Sequence, residues 1–444
     1  MVQLTNNNLI NEKIKELVDL KLSYAKKEWK AGIDPVQYSG SYFTEDEYIA
    51  GIFTLLNGWL ALGEDGIRFE NKFSSRLGKE FGVLTNSGSS ANLLMMSALK
   101  SKNLYGLKQG SKVITPVAGF PTTINPIFQN GFEPVFIDIE LDTLNLDIEQ
   151  LELAAKEGAS ALIFAHVLAN SPNMEEVMFI VKKYGLILLE DCCDALGSFY
   201  DGKPLGSFGE LSSCSFYPAH HITMGEGGFV ACSSKQQETI VKSLREWGRA
   251  CYCSGKAANC LKNGMCKKRF SNWLPLLPEE IFDHKYVYTE IGYNLKPLEL
   301  QASIGLVQLE KLDFIIQKRK HNFNMLTKIF EPYSEYFILP KATKKCDPSW
   351  FAYPLTVKPN SKIKRTEFTM FLEDKKIQTR NYFGGNILLQ PGYYEYIKDD
   401  PKRKYPNATI ATTNTFFLGT SPVITDEQLD YIKFVVDSYF YKIK

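Results

Sequence analysis

Apolar residues Leu9, Ile14, Leu17, Leu20 and Tyr24 recur at helical spacing with lysines between them, which predicts an amphipathic helix over residues 8–31. A second helix is expected around Phe69–Leu77, and a third opens at Gly88 and runs through Met95 to Leu99. Between residues 112 and 190 the pattern changes. Short apolar runs at Val113–Thr115, Pro134–Ile137, Ala161–Phe164 and Leu186–Leu189 alternate with helix-like stretches. That alternation predicts parallel strands joined by crossover helices, an α/β domain whose ligands gather beyond the strand ends. A helical pattern in the run Gly292–Leu309 carries on to about Arg319, after which residues 320–444 read as a smaller α+β domain. The expected organisation is therefore an N-terminal helical segment over 1–57, a large α/β domain over 58–319 and a small α+β domain over 320–444.

Composition narrows the function classes. The 51 Lys+Arg nearly balance the 50 Asp+Glu, so bulk charge offers no case for nucleic acid or an anionic membrane surface. No stretch approaches the ~20 apolar residues of a membrane span, and the first residues carry neither a basic flank nor an apolar core, so a cytoplasmic protein is expected. Nine cysteines in such a chain point to thiols or metal ligands rather than to a disulfide framework. Four of them, Cys251, Cys253, Cys260 and Cys266, crowd into a Gly- and Lys-rich stretch within residues 249–270 that reads as an exposed loop.

Three stretches carry candidate chemistry. In Val83–Asn92 the turn residues Gly88, Ser89 and Ser90 open a helix, where free backbone N–H groups and hydroxyls form a ready phosphate site. The fourth apolar run ends in Glu190-Asp191, which places carboxylates at the C-terminal end of a strand, followed by Cys193 and Asp194. The segment Ser215–Gly228 is a small-residue turn between two short strands, with Tyr217, His220 and His221 inside it. Imidazole titrates near neutrality, so a histidine there suits proton transfer. His221 and His166 are read as structural, with His221 kept as an alternative base.

Together with Gly292-Tyr-Asn294, these stretches resemble the fold-type I, pyridoxal-phosphate-dependent sugar aminotransferases (the DegT/DnrJ/EryC/StrS family). The resemblance implies a large mixed or parallel sheet domain with a smaller C-terminal domain. It also implies cofactor contacts at Gly88, Ser89, Ser90 and Ser215 for the phosphate, Phe120 stacked on the ring, Asp191 at the pyridine nitrogen and Asn294 reaching into a partner subunit of a homodimer. The family's turn reads Ser-Phe-x-x-x-Lys, and here His220 stands in place of that lysine. Imidazole has no primary amine and forms no imine with an aldehyde, so the cofactor is expected to be held without a covalent tether.

The lysine-to-histidine form resembles the 3-dehydrases of 4-keto-6-deoxy nucleotide sugars. That implies noncovalent pyridoxamine phosphate, His220 as the base acting at the cofactor's C4′ carbon, and Asp194 and Tyr217 beside it. The cysteines resemble the iron–sulfur subgroup, which implies a [2Fe–2S] cluster on Cys193, Cys251, Cys253 and a fourth thiolate. Spacing favours Cys260 for the fourth, whereas the flank Cys266-Lys-Lys-Arg-Phe270 favours Cys266, the residue preferred here. Zinc is the competing metal. The implied substrate is a CDP-linked 4-keto-6-deoxyhexose, facing Arg380–Asn386. An NADH-dependent flavin or iron–sulfur reductase is the implied partner, in 3,6-dideoxyhexose assembly for lipopolysaccharide O-antigen. The alternatives are a cluster-free, glutamate-fed 3-dehydrase, a nucleotide-sugar aminotransferase, and a noncatalytic binding or scaffold protein.

Overall fold

A computed structural model describes residues 2–25, 27–251 and 269–443. The four apolar runs become strands β2 (Lys112–Pro116), β3 (Glu133–Ile137), β4 (Ala161–Ala165) and β5 (Ile187–Asp191), the strands flanking the histidine turn are β6 (Leu211–Ser215) and β7 (Gly228–Cys232), and an unexpected strand, β1 (Phe81–Thr85), precedes them. They form one 7-stranded sheet in the order β1-β7-β6-β5-β4-β2-β3, in which only β7 runs against the rest. Strands such as β6 and β7 are buried along their whole length, as expected where helices cover both faces. The large mixed sheet with flanking helices is the architecture the sequence led one to expect for this part of the chain.

Helix α1 (Val2–Ala25) is followed by α2 (Glu45–Asn57), α3 (Glu64–Phe73) and α4 (Gly88–Ala98). Next come α5 (Pro121–Gln129), α6 (Ile148–Lys156), α7 (Met174–Tyr184) and α8 (Lys235–Arg245). Glu299 opens α9 (Glu299–Glu310) and accepts hydrogen bonds from the amides of Gly63 and Asp65, both at 2.6 Å, so one carboxylate caps the neighbouring α3. No described helix is long and apolar enough to cross a membrane.

Two expectations about boundaries change. The helix expected to end near Arg319 breaks at Lys311 and restarts as α10 (Leu312–Phe330), so the 319/320 boundary falls inside a helix. The reason is that Ile315, Arg319, Phe323 and Leu326 form one continuous buried stripe. Among the side chains of α1 that are described, only Ile14 and Val18 are buried, while Leu9, Leu17, Leu20 and Tyr24 stay exposed, and the helix stops at Ala25 rather than residue 31. The N-terminal segment is also not set apart. Val36 pairs with Ile377 of the C-terminal region, and Thr54 in α2 donates to Ser303 in α9 at 2.8 Å.

The C-terminal part carries a second, antiparallel sheet of β8 (Phe337–Ile338), β9 (Ala352–Val357), β10 (Arg380–Asn381) and β11 (Thr415–Gly419), ordered β8-β9-β11-β10. Its own core contains Phe330, Tyr353, Phe368 and Phe440. A separate cluster with Val117, Ile124, Phe351, Tyr382 and Phe417 joins this sheet to the large one. That seam faces the C-terminal ends of the parallel strands, where the main cavity opens.

Candidate active site

β1 feeds directly into the N-terminus of α4. Ser87 is the N-cap and its hydroxyl accepts the Ser90 amide at 3.1 Å, so the Gly88 and Ser89 amides are the ones left to a ligand. Ser215, at the end of β6, packs against this turn so closely that a Cβ on Gly88 would lie 2.5 Å from the Ser215 Cβ. A Cβ on Gly228 would lie 2.1 Å from the Ser87 carbonyl oxygen. Only glycine fits at either place, and the result is an anion cradle of two amides with the Ser89 and Ser215 hydroxyls. Ser90, expected to join it, does not line the cavity because its amide is used by the cap.

Asp191 forms the polar floor and is 4% exposed. One of its oxygens accepts Asn92 Nδ2 and Thr123 Oγ1, both at 2.7 Å, and the other accepts the Cys193 amide at 3.0 Å. The carboxylate is thereby fixed from three elements, α4, α5 and the segment after β5. Phe120, half-exposed as the N-cap residue of α5, presents its ring to the same cavity. A phosphate cradle, a rigid carboxylate and an aromatic face fit a phosphorylated pyridine ring.

The turn after β6 carries His220 into the cavity wall. Its Nδ1 is enclosed without a hydrogen-bond partner and lies 3.5 Å from Asp194 Oδ1, so Nε2 is the nitrogen left to meet a ligand. Burial, with the Arg319 cation nearby, pushes the imidazole down to about 4. Burial and the neighbouring Asp191 push Asp194 up to about 8, so near neutral pH imidazole and carboxyl face each other with little charge on either. Tyr217 is half-exposed, with its ring edge-on to His220 at 6.4 Å between centroids.

His221 and His166 are bound to neighbours in the interior. His221 is buried and bonds the Ser349 hydroxyl at 2.8 Å, while His166 pairs with the buried Glu190 at 2.9 Å. Glu190 also accepts the amides of Gly206, Phe208 and Gly209. With Cys192, this pair is the group of potential metal donors found among the described residues; it does not include Cys193, and Glu190 is already satisfied.

The cavity has a volume of about 820 Å³ and is completed from the C-terminal sheet by Phe351, Arg380, Asn381, Phe383 and Phe417. Arg380 lies over the Tyr38 ring at 4.0 Å. Among the described residues that line it, Arg380 is the one cation and none is lysine. Asn294 is exposed outside the cavity, accepting a hydrogen bond from Lys296 at 2.8 Å, so its own chain does not bring it to the cradle. Cys193 lies in the cavity wall against Gly88, whereas Cys251 is partly exposed at the end of the described segment. Cys253, Cys260 and Cys266 lie outside the described residues.

Sequence reading missed Asn92, Thr123, Phe351 and Arg319, which hold the site without a recognisable motif. The polar Asn92 inside the otherwise apolar Leu-Leu-Met-Met face of α4 was the available signal.

Comparison with known proteins follows the same lines. The sequence pattern of the DegT/DnrJ/EryC1/StrS aminotransferase family matches residues 44–436. The lipopolysaccharide biosynthesis protein RfbH of Salmonella typhimurium is 43% identical over 441 residues, covering 98% of this chain and 99% of that protein. The dTDP-4-dehydro-2,6-dideoxy-D-glucose 3-dehydratase of Saccharopolyspora spinosa is 41% identical over 404 residues, 90% of this chain and 86% of that one. Among solved structures, the Escherichia coli GDP-4-keto-6-deoxy-D-mannose-3-dehydratase with bound hydrated PLP superposes with a TM-score of 0.80 at 27% identity, covering 90% and 98% of the two chains.

Proposed function

The chain belongs to the DegT/DnrJ/EryC1/StrS aminotransferase family, and within it we propose that this enzyme removes the C3 hydroxyl of a nucleotide-linked 4-keto-6-deoxyhexose rather than transferring an amino group. One observation carries the reading: the cavity wall presents His220 where an aminotransferase needs a lysine, and no described lining residue is a lysine. The 3-dehydratase names of two similar proteins support it.

Pyridoxamine phosphate, when bound, supplies a primary amine and a ring that accepts electrons. The residues do the rest. Gly88, Ser89 and Ser215 hold the phosphate, Asp191 keeps a proton on the pyridine nitrogen, and Phe120 covers the ring face. His220 accepts a proton at Nε2 as the base, and Asp194 sits at Nδ1 to orient the imidazole. Tyr217 and Arg380, both facing the cavity, bound the space for the sugar and its diphosphate. Asn294, exposed on the surface, is proposed to complete the cradle of a partner copy in a homodimer.

The finer reading is a CDP-linked substrate, with a [2Fe–2S] cluster on Cys193, Cys251, Cys253 and Cys266 and a reductase partner, in 3,6-dideoxyhexose synthesis for lipopolysaccharide. Burial and the neighbouring Asp191 raise the Cys193 thiol well above its usual pKa, so a thiolate there calls for a metal ion beside it. A cluster would supply one-electron transfer. The glutamate-fed, cluster-free 3-dehydratase is the runner-up, and it shares every residue of the cavity.

The test is direct. Protein purified without oxygen is assayed for iron and sulfide, then given pyridoxamine phosphate and CDP-, GDP- or dTDP-linked 4-keto-6-deoxyhexoses, with water loss followed by mass spectrometry. Loss of the C3 oxygen from one of them, abolished in His220→Asn, is the expected result. Transfer of an amino group by the unaltered protein would overturn the reading, and iron-free activity fed by glutamate would select the runner-up.

A further inference from the structure

Arg319 does not line the cavity, yet it is among the largest fully buried side chains, at 1% exposure. It stands on the apolar stripe of α10, between Ile315 and Phe323, where a methionine would fill the space without the cost of burying a charge. No carboxylate among the described residues forms an ion pair with it. Its guanidinium is spent on backbone instead: Nη2 donates to the carbonyls of Ala219 at 3.1 Å and His220 at 2.9 Å. Nη1 donates to the Phe351 carbonyl at 2.8 Å and to Thr420 Oγ1 at 3.4 Å. The Phe351 ring in turn lies 5.3 Å from the His220 imidazole.

We infer that Arg319 is a positioning residue, whose fork ties the two peptide groups flanking the His220 side chain to Phe351, the residue just before β9, whose ring packs beside the imidazole. The inference rests on the reading of His220 as the base. Two successive carbonyls gripped by one planar fork fix both peptide planes around residue 220, and with them the direction of its Cα–Cβ bond. Lysine has a single nitrogen and cannot span all three carbonyls. The Arg319 cation also faces the imidazole, together with Asp191, Asp194, Tyr217 and His221, and opposes a resting proton on it.

Arg319→Lys is the deciding variant. It is expected to lower kcat about 30- to 100-fold, the scale of an ångström-level misplacement, with KM for the sugar and Kd for pyridoxal phosphate within about twofold of the unaltered protein. In cofactor-free protein, His220 should be carbethoxylated by diethyl pyrocarbonate several-fold faster than in the unaltered protein, with exposed His321 as reference. Unchanged kcat and labelling would overturn the inference. So would a fall in kcat matched by equal losses in KM, cofactor affinity and melting temperature, the mark of a merely structural core residue. If Arg319→Lys does not fold, Thr420→Val loosens the same guanidinium more gently, and about 2- to 5-fold lower kcat with faster labelling is expected. No change in either would count against the clamp. Should the unaltered enzyme dehydrate no nucleotide-linked 4-keto sugar, the functional reading fails, and the labelling of His220 alone decides the role of Arg319.

Discussion

Arg245 and Arg319 both carry a guanidinium into the interior, 3% and 1% exposed, and both end on main-chain carbonyls beside the same cavity. Arg245 donates to the Leu84 carbonyl at 2.7 Å, just before the phosphate turn, but it also meets Glu70 at 2.9 Å and Glu246 at 2.7 Å. Lys242 completes that group at 3.1 Å from Glu70. Arg319 meets only uncharged oxygens. The consequence shows in their proton affinities. Burial opposes charge on both, yet the Glu70 and Glu246 carboxylates raise Arg245 above its ordinary value, whereas Arg319, with Asp194 as a weaker counterweight, falls to about 10. The anion cradle is thus braced by a network in which the charges are paired. The turn bearing His220 is braced by a cation with no carboxylate bonded to it, whose field reaches the imidazole.

Mutations can separate these two designs. The largest effect is expected at the end of the second brace: His220→Asn should lower turnover by about 10³-fold or more, the upper range for loss of a general base, while pyridoxal phosphate binding measured by equilibrium dialysis stays nearly intact. Next is Arg245→Met, which leaves Glu70 buried without its guanidinium. Chemical denaturation should show a loss of about 3–5 kcal/mol. Arg319→Met leaves no orphaned carboxylate, only carbonyls, so its stability loss should be smaller, about 1–3 kcal/mol. If the two arginines prove equally costly, the distinction drawn between them is wrong.

The smallest effect is a pH dependence. Burial alone would raise the Glu70 carboxyl, but the Lys242 and Arg245 cations outweigh it and hold the pKa below the ordinary value. Its contribution is therefore fully present above the unfolded carboxylate pKa of roughly 4.3 and fades as pH falls from there through the lower folded value. Melting temperature should drop more steeply on acidification in the unaltered protein than in Glu70→Gln. Parallel curves would remove Glu70 from the account of acid sensitivity.

What could be read in the sequence follows the same division. Gly88, Phe120, Asp191, Ser215 and His220 stand at strand ends or helix starts, positions that local patterning locates, and the cavity gathers all five. Arg319 sits in Gln-Lys-Arg-Lys, where one cation resembles its exposed neighbours and only the register of Ile315 and Phe323 turns it inward. Partners such as Asn92 and Thr123 become meaningful only once α4, α5 and β5 meet, a matter of tertiary packing. In α1 the failure ran the other way, since Leu17 and Leu20 keep helical spacing without finding anything among the described residues to cover them.

The antiparallel pairing of β6 with β7 has one more consequence. Ser215 stands opposite Gly228, and the Phe216 amide donates to the Gly227 carbonyl at 2.9 Å, so both feet of the arch that carries residue 220 are pinned. Arg319 grips the crown of that arch through oxygens that every amino acid possesses. The side chain at 220 is therefore an interchangeable part. An amine or an imidazole could be mounted at this one point, and the reaction exchanged with it, while the architecture around it stays as it is.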